Sequence, residues 1–472
     1  MASAPASPSG RAPVAAPTLR RLLVLAWPIV VSRSSQVVVG VSDAIMVAHL
    51  GEPALAATTT GALNTFNVLI LPMGVVFIVS SFASQLVGRG DPLGARRYGW
   101  CGLGVALLAQ AACMPGIALV PGALSLAGYR GEVLHLMTGY LQIRLLSGGA
   151  AIGIEALSNY YGGLGNTRLP MAVSLAAMVL NVLGNWILID GHLGAPALGV
   201  QGAATASALS TGVAFAFFLC AFVLGLGAGR RPAGRARPTA AQFWRMLRFG
   251  VPSGFNWFFE FLAFAFFVNL VVADLGTTTL AAMMVIFQIN SVSFMPAFAV
   301  ASAGAIMVGQ SIGAGRPDDV PRAVRLTVSV AGVWQGLAGV SYLLAPAWLM
   351  GAFVSGQSVT AEFVPMGVVM LRVSAAWQFF DAAATTFAEA LRAAGDTTFA
   401  LWARTGLAWL LFAPGTYASV RWLGAGYRAA TAWLVVYLGL LAVVLVWRFQ
   451  RGAWRRIDLT GEQSVAAVAA VP

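Results

Sequence analysis

Twelve stretches of this 472-residue chain stay apolar for at least the length of a bilayer crossing. They run at about 22–48, 55–86, 98–122, 132–160, 169–190, 199–227, 245–273, 279–312, 321–350, 362–394, 398–420 and 427–449. A helix rises about 1.5 Å per residue, so about 20 apolar residues cross a hydrocarbon core of roughly 30 Å. In lipid every backbone N–H and C=O must be satisfied internally, and continuous apolar segments do so as helices. The expected fold class is an all-α polytopic membrane protein with twelve transmembrane helices. Composition agrees: 59% of residues are hydrophobic, only 9% are charged, and the mean hydropathy is +0.81. A soluble globular protein is excluded.

All 28 basic residues are arginine, and the formal net charge is +12. That balance does not point to nucleic acid, because the arginines sit in short loops between apolar runs. With the N-terminus placed in the cytoplasm, 22 arginines fall on the inner face and three (Arg130, Arg421, Arg428) on the outer one. The skew predicts both termini cytoplasmic. Residues 1–18 are rich in Ala, Pro and Ser and read as a disordered tail; the apolar run after them is too long for a signal peptide. Residues 451–472 are expected to form a cytoplasmic tail, unstructured from 458 onward. Cys101, Cys113 and Cys220 have neither metal spacing nor a disulfide pattern.

The longest inner linker, 228–244, is rich in Gly, Pro and Arg. It separates an N-lobe at 19–227 (spans 1–6) from a C-lobe at 245–450 (spans 7–12). The halves are alike. QLVGRGDP from Gln85 matches QSIGAGRP from Gln310, 225 positions later; Gly165-Asn166-Thr167 matches Gly395-Asp396-Thr397. Six spans per half give both halves one orientation, so the lobes form a parallel pseudo-symmetric repeat, with a site expected at their interface or inside one lobe.

The first span carries Asp43, with Ser32 and Gln36 at helical spacing on the same face. A carboxylate at membrane depth costs about 2.5–3.5 kcal/mol on insertion scales, so it should face a protein-lined, wetted cavity. There it can accept a proton or attract a cation, or it can serve packing alone. Elsewhere, Glu389 and Arg392 at i and i+3 are expected to pair. Arg33, Arg144 and Arg372 lie inside spans and are expected to snorkel or bond carbonyls, and Glu155 has no sequence partner. His49, His135 and His192 read as outer-interface residues, with a proton-relay role open to His49. No nucleotide-binding motif, HExxH or GxSxG occurs, so neither a primary pump nor an enzyme is expected.

Six stretches resemble the multidrug and toxic compound extrusion (MATE) family in its NorM-like branch. They are WPIVV…VSDAIMVAHLGEPALAA at 27–57, NYYGGLGNTRLPM at 159–171, NVLGNWILIDGHLGAPALGVQGAATAS at 181–207, VPSGFNWFFEFLAF at 251–264, VGQSIGAGRPDDVPRAV at 308–324 and FFDAAATTFAEALRAAGDT at 379–397. The resemblance implies a cation-coupled exporter of cationic amphipathic compounds in the bacterial inner membrane. It implies no cofactor beyond a coupling ion, H⁺ or Na⁺, and a monomer whose partners are small molecules and the bilayer. Asp43 stands at the family's acidic position on the first span, and Asn181, Asn185 and Ser207 resemble its hydrogen-bonding cluster. Glu260 and Asp381 match the two acids of the C-lobe. Two carboxylates can coordinate a monovalent metal ion such as Na⁺, or share a proton. The 224-residue offset brings Glu260 onto Gln36 and Asp43 onto Phe267; the scaffold is duplicated and the acids are not. Trp257, Phe258, Phe287 and Phe379 are candidate cation–π contacts for a substrate. A dedicated metabolite exporter and a lipid-linked oligosaccharide flippase are the alternatives, the flippase calling for a more basic cavity.

Overall fold

A computed structural model describes residues 15–228, 236–353 and 361–461. Among these residues the chain forms helices and no strands. In the first half these are α1 (Leu19–Val47), α2 (Glu52–Val76), α3 (Ile78–Arg89), α4 (Pro92–Leu126), α5 (Gly131–Leu146), α6 (Gly148–Gly163), α7 (Arg168–Asp190) and α8 (Gly199–Leu224). The second half has α9 (Ala240–Phe266), α10 (Thr277–Gly313), α11 (Val320–Leu344), the short α12 (Pro346–Gly351), α13 (Phe363–Ala394), α14 (Thr397–Gly406), α15 (Ala413–Arg421) and α16 (Gly426–Gln450).

Among the described residues, ten helical runs are long and apolar enough to cross a membrane. The other two expected crossings are helical but interrupted. The run at 132–160 breaks at Ser147, between α5 and α6, where the Ser147 hydroxyl bonds back to the Arg144 carbonyl at 3.0 Å. The run at 398–420 is interrupted by a π-helical turn, Leu407–Phe412, between α14 and α15. A matching π-helical turn, Phe267–Val272, follows α9.

The repeat seen in the sequence is built into the packing. Two apolar cores form, one per half, and the first helix of each half crosses into the other's core. Leu22 of α1 is wholly buried with the C-lobe residues; Met246 of α9, 224 positions later, is wholly buried with the N-lobe residues. The turn after each of these helical runs uses glycine at the same place: Gly51 has φ 105° and Gly276 φ 100°, a region that L side chains rarely adopt.

At the arginine-rich end the lobes hold each other reciprocally. The Gln85 amide donates to the Ala393 carbonyl at 2.8 Å, and the Gln310 amide donates to the Gly163 carbonyl at 3.0 Å. Close approach of α3 and α10 requires glycine on both sides. A Cβ on Gly88 would meet the Gln310 carbonyl oxygen at 2.3 Å, and one on Gly313 the Gln85 oxygen at 1.8 Å. Interhelical hydrogen bonds in membrane proteins average about 0.6 kcal/mol, so a clasp of this kind is strong enough to bias a state and weak enough to reverse.

Two expectations about the connecting segments are corrected. Residues 240–244 of the linker belong to α9, because Thr239 and Gln242 form a capping box (Gln242 N–H to the Thr239 hydroxyl at 3.2 Å, Thr239 N–H to the Gln242 side-chain Oε1 at 3.0 Å); residues 229–235 lie outside the described residues. In the C-terminal tail, residues 451–461 pack against the helices, and residues 462–472 lie outside the described residues. Trp454 is buried in the C-lobe core and Leu459 in the N-lobe core, so the segment straps across both. Arg455 pairs with Asp318 at 3.2 Å and Asp458 with Arg89 at 4.0 Å. Two apolar anchors within nine residues of the last helix outweigh the flexibility that Gly452 and the polar composition suggest.

Candidate functional site

In the N-lobe, three helices converge on one carboxylate. The Asp43 carboxylate on α1 accepts from the Asn185 amide on α7 at 2.5 Å and from the Ser207 hydroxyl on α8 at 3.4 Å. Asn181, one turn before Asn185, donates to the same hydroxyl at 2.9 Å. All four side chains are buried. The i, i+4 spacing of Asn181 and Asn185 puts both amides on the α7 face that α1 packs against. The acid is held by neutral donors, which suit an ionised carboxylate. Gln36 is not brought to this cluster. It is exposed and lines a separate cavity of about 70 Å³ with Ser32, Arg33 and Glu155. Ser32 bonds the Ser174 hydroxyl of α7 at 2.7 Å instead. His49 lies in the turn just past the C-terminal end of α1 and pairs with Asp190 at 2.9 Å, half-exposed.

In the C-lobe, a chamber of about 570 Å³ is enclosed by α9, α10, α13, α14 and α16, with α2 forming one wall. Glu260 and Asp381 both line it, as expected from their positions. Their surroundings differ. Asp381 accepts from the Gln335 amide of α11 at 2.7 Å and from the Thr385 hydroxyl at 3.4 Å. Glu260 is ion-paired with Arg404 of α14, which also lines the chamber. Glu260 thus already has a cation beside it, whereas the partners of Asp381 are neutral. Between α10 and α13 a polar network joins Asn290, Trp377, Gln378 and Ser293, with the Trp377 indole donating to Asn290 at 3.0 Å and the Ser293 hydroxyl to Gln378 at 2.7 Å.

Of the four candidate aromatics, Trp257 and Phe287 line the chamber; Phe258 does not, and Phe379 is 69% exposed on the outer surface. Helical phase accounts for this: the lining residues of α9 (Ser253, Asn256, Trp257, Glu260, Phe261 and Phe264) form one stripe at about 100° per residue, and Phe258 falls outside it. Phe261, Phe264, Phe294 and Phe298 join the lining.

The chamber ends toward the arginine-rich side in an aromatic and ionic floor. Phe77, at the junction of α2 and α3, stacks on Trp257 at 5.5 Å and meets Phe298 edge-on. The Arg33 guanidinium lies over Phe77 and Phe298, and the Arg392 guanidinium also lies over Phe77. Glu389 and Arg392 pair at 2.5 Å, as the i, i+3 spacing predicts. Arg392 also donates to the Phe77 carbonyl at 2.7 Å. Arg33 does not snorkel, and Glu155 is not alone: they pair with each other at 2.8 Å, supported by Asn159 at 3.1 Å. The partners stand 122 positions apart, so spacing could not reveal them. Arg144 keeps two buried guanidinium nitrogens without a hydrogen-bond partner among the described residues, and Arg372 is exposed.

Sequence reasoning missed Arg404 and Gln335. Both signals were present. Arg404 lies inside the apolar run 398–420, where an arginine needs a partner as much as an acid does. Gln335 sits mid-run in 321–350.

Comparison with known proteins follows the same division into halves. The MatE family model matches residues 28–187 and again 252–417. A Pseudomonas putida protein described as "Probable multidrug resistance protein NorM" is 31% identical over 475 residues, covering 97% of this chain and 99% of that protein. A Burkholderia vietnamiensis "Multidrug resistance protein NorM" is 28% identical, covering 93% and 96%. Among solved structures, a MOP superfamily transporter from Pyrococcus furiosus superposes with a TM-score of 0.84 at 19% identity, over 94% of this chain and 98% of that one. An outward-facing multidrug resistance MATE family transporter superposes with a TM-score of 0.82, also at 19% identity and the same coverage. At that identity the structural likeness speaks to the fold.

Proposed function

The chain belongs to the MATE family of membrane transporters, and from that premise we propose that it is a secondary active multidrug exporter of the bacterial inner membrane. It exchanges a coupling ion for cationic amphipathic compounds by alternating access, and it performs no covalent chemistry. The observation that carries this reading is Asp381. Its carboxylate lies in the wall of an aromatic chamber of about 570 Å³, held by the neutral donors Gln335 and Thr385. An ionised Asp381 attracts the charge of a bound cation while Trp257 and Phe287 offer ring faces to its apolar part. Neutralising Asp381 removes that attraction and releases the compound. The two ligands need only compete for one charge in different states.

Asp43, Asn181, Asn185 and Ser207 form the second exchanging site, in the N-lobe. There the acid sits away from the chamber among amides that donate to its ionised form, so protonation breaks those bonds and loosens α1 from α7 and α8. We read the coupling ion as a proton rather than Na⁺. A sodium site would draw on both Glu260 and Asp381, and Glu260 is matched by Arg404. The flippase alternative calls for a basic chamber, whereas Glu260, Asp381 and Glu389 outnumber Arg392 and Arg404 in its lining.

The test is uptake of a fluorescent lipophilic cation into proteoliposomes with pH and Na⁺ gradients imposed separately. Proton-driven exchange is the expected result. Transport that follows only the Na⁺ gradient overturns the ion assignment, and no gradient-dependent transport of any cation overturns the reading itself.

A further inference from the structure

The charges lining the chamber can be counted individually, because each has a known partner. Glu389 is paired with Arg392, Glu260 is paired with Arg404, and Asp381 accepts from the neutral donors Gln335 and Thr385 alone among the described residues. The lining therefore carries one net negative charge.

Arg404 is not a loose surface arginine that happens to reach inward. It lies on α14 directly before the π-helical turn Leu407–Phe412, and Glu260 lies on α9 before the π-helical turn Phe267–Val272. The two turns pack against each other. The Phe267 and Phe412 rings are 5.2 Å apart, and the Trp409 indole donates to the Phe259 carbonyl at 3.4 Å, one residue before Glu260. A π turn shifts the helix register by one residue and recurs at functional sites. Here each partner of the ion pair lies within two helical turns of such a shift. The Arg404 side chain is 14% exposed, and a guanidinium in that setting stays charged.

We propose that Arg404 is a tethered cation occupying the Glu260 seat, which sets the chamber to accept monocationic aromatic compounds and to reject dications. This rests on the export reading above and specifies its substrate class. A monocation brings the lining to neutrality through Asp381. A dication leaves one positive charge uncompensated beside Arg404 in a medium of low dielectric, where like charges repel far more strongly than in water. Removing Arg404 exposes Glu260 and raises the net negative charge to two, which suits a dication. Removing Glu260 as well returns the lining to one.

The test compares ethidium, a monocation, with propidium, a dication on the same ring system. Both are followed in proteoliposomes under one imposed gradient. The preparations are wild type, Arg404→Gln, Arg404→Lys and the double variant Glu260→Gln/Arg404→Gln, with membrane abundance measured for each. Wild type is expected to favour ethidium by about tenfold or more, the scale of one modest charge mismatch. Arg404→Gln brings the ratio toward unity, Arg404→Lys keeps it, and the double variant restores the preference for ethidium. A purely structural Arg404 would not produce that reversal. An Arg404→Gln protein that transports with an unchanged ratio overturns the proposal. If that variant fails to accumulate, the double variant decides: ethidium preference supports the tethered cation, and its loss overturns it. Wild type that moves neither dye removes the export reading instead.

Discussion

The two lobes share a scaffold and differ in what they do with acid. In the N-lobe, Asp43 is buried among Asn181, Asn185 and Ser207, away from the large chamber. In the C-lobe, Glu260 and Asp381 face the chamber, and an arginine matches one of them. The backbone differs in the same sense, since the π-helical turns occur beside the C-lobe pair at 267–272 and 407–412. Duplication therefore preserved the elements that let the halves hold each other, such as the Gln85 and Gln310 clasps, and let the polar interiors diverge. A small ion can reach an acid that a drug-sized molecule cannot, so the difference suits separate handling of coupling and cargo.

Neutralising each lobe's acid is the most decisive way to break that comparison. Asp381→Asn should abolish efflux and weaken binding of a fluorescent cation to purified protein by about tenfold or more, one lost charge contact. Asp43→Asn should abolish gradient-driven efflux equally, with binding to purified protein little changed. Equal loss of binding in both variants would mean the lobes do not divide the work.

A smaller effect is expected from the C-terminal strap. Leu459→Ser removes an apolar anchor worth about 1.5–3 kcal/mol of burial from the N-lobe side only. Cysteine labels placed at the arginine-rich end of α3 and α10 should become more reactive in that variant. Unchanged labelling would show that the strap does not hold the two halves together. The smallest and sharpest test is the reciprocal pair. Gln85→Leu and Gln310→Leu should each cost about 0.6 kcal/mol and produce matching changes in the same labelling assay, because each removes one interlobe bond of the same kind. Unequal effects would locate a functional asymmetry in the clasp itself.

Much of this architecture is legible in the chain. Apolar runs of bilayer length, arginines between them and a repeat at 224–230 positions are local or periodic features, and lipid leaves few other ways to arrange them. The i, i+4 amides at Asn181 and Asn185 and the i, i+3 pair Glu389–Arg392 were equally readable, since helical spacing brings such residues to one face. Arg404 is less legible: it counts among the 22 arginines assigned to the inner face, and that skew accounts for it too readily, although it lies within the apolar run 398–420.

What the amino-acid order determined on its own was the all-helical membrane class, the two related halves and the identity of the acids held at depth. Tertiary structure alone decided who stands beside each acid: Asn185 for Asp43, Gln335 for Asp381, Arg404 for Glu260 and Arg33 for Glu155. It also decided that Trp257 faces the chamber while Phe379 faces outward. The physical reason is distance along the chain. Partners 46 to 144 positions apart meet only through the rotation and tilt of whole helices against one another, and no spacing rule within a single helix records those angles.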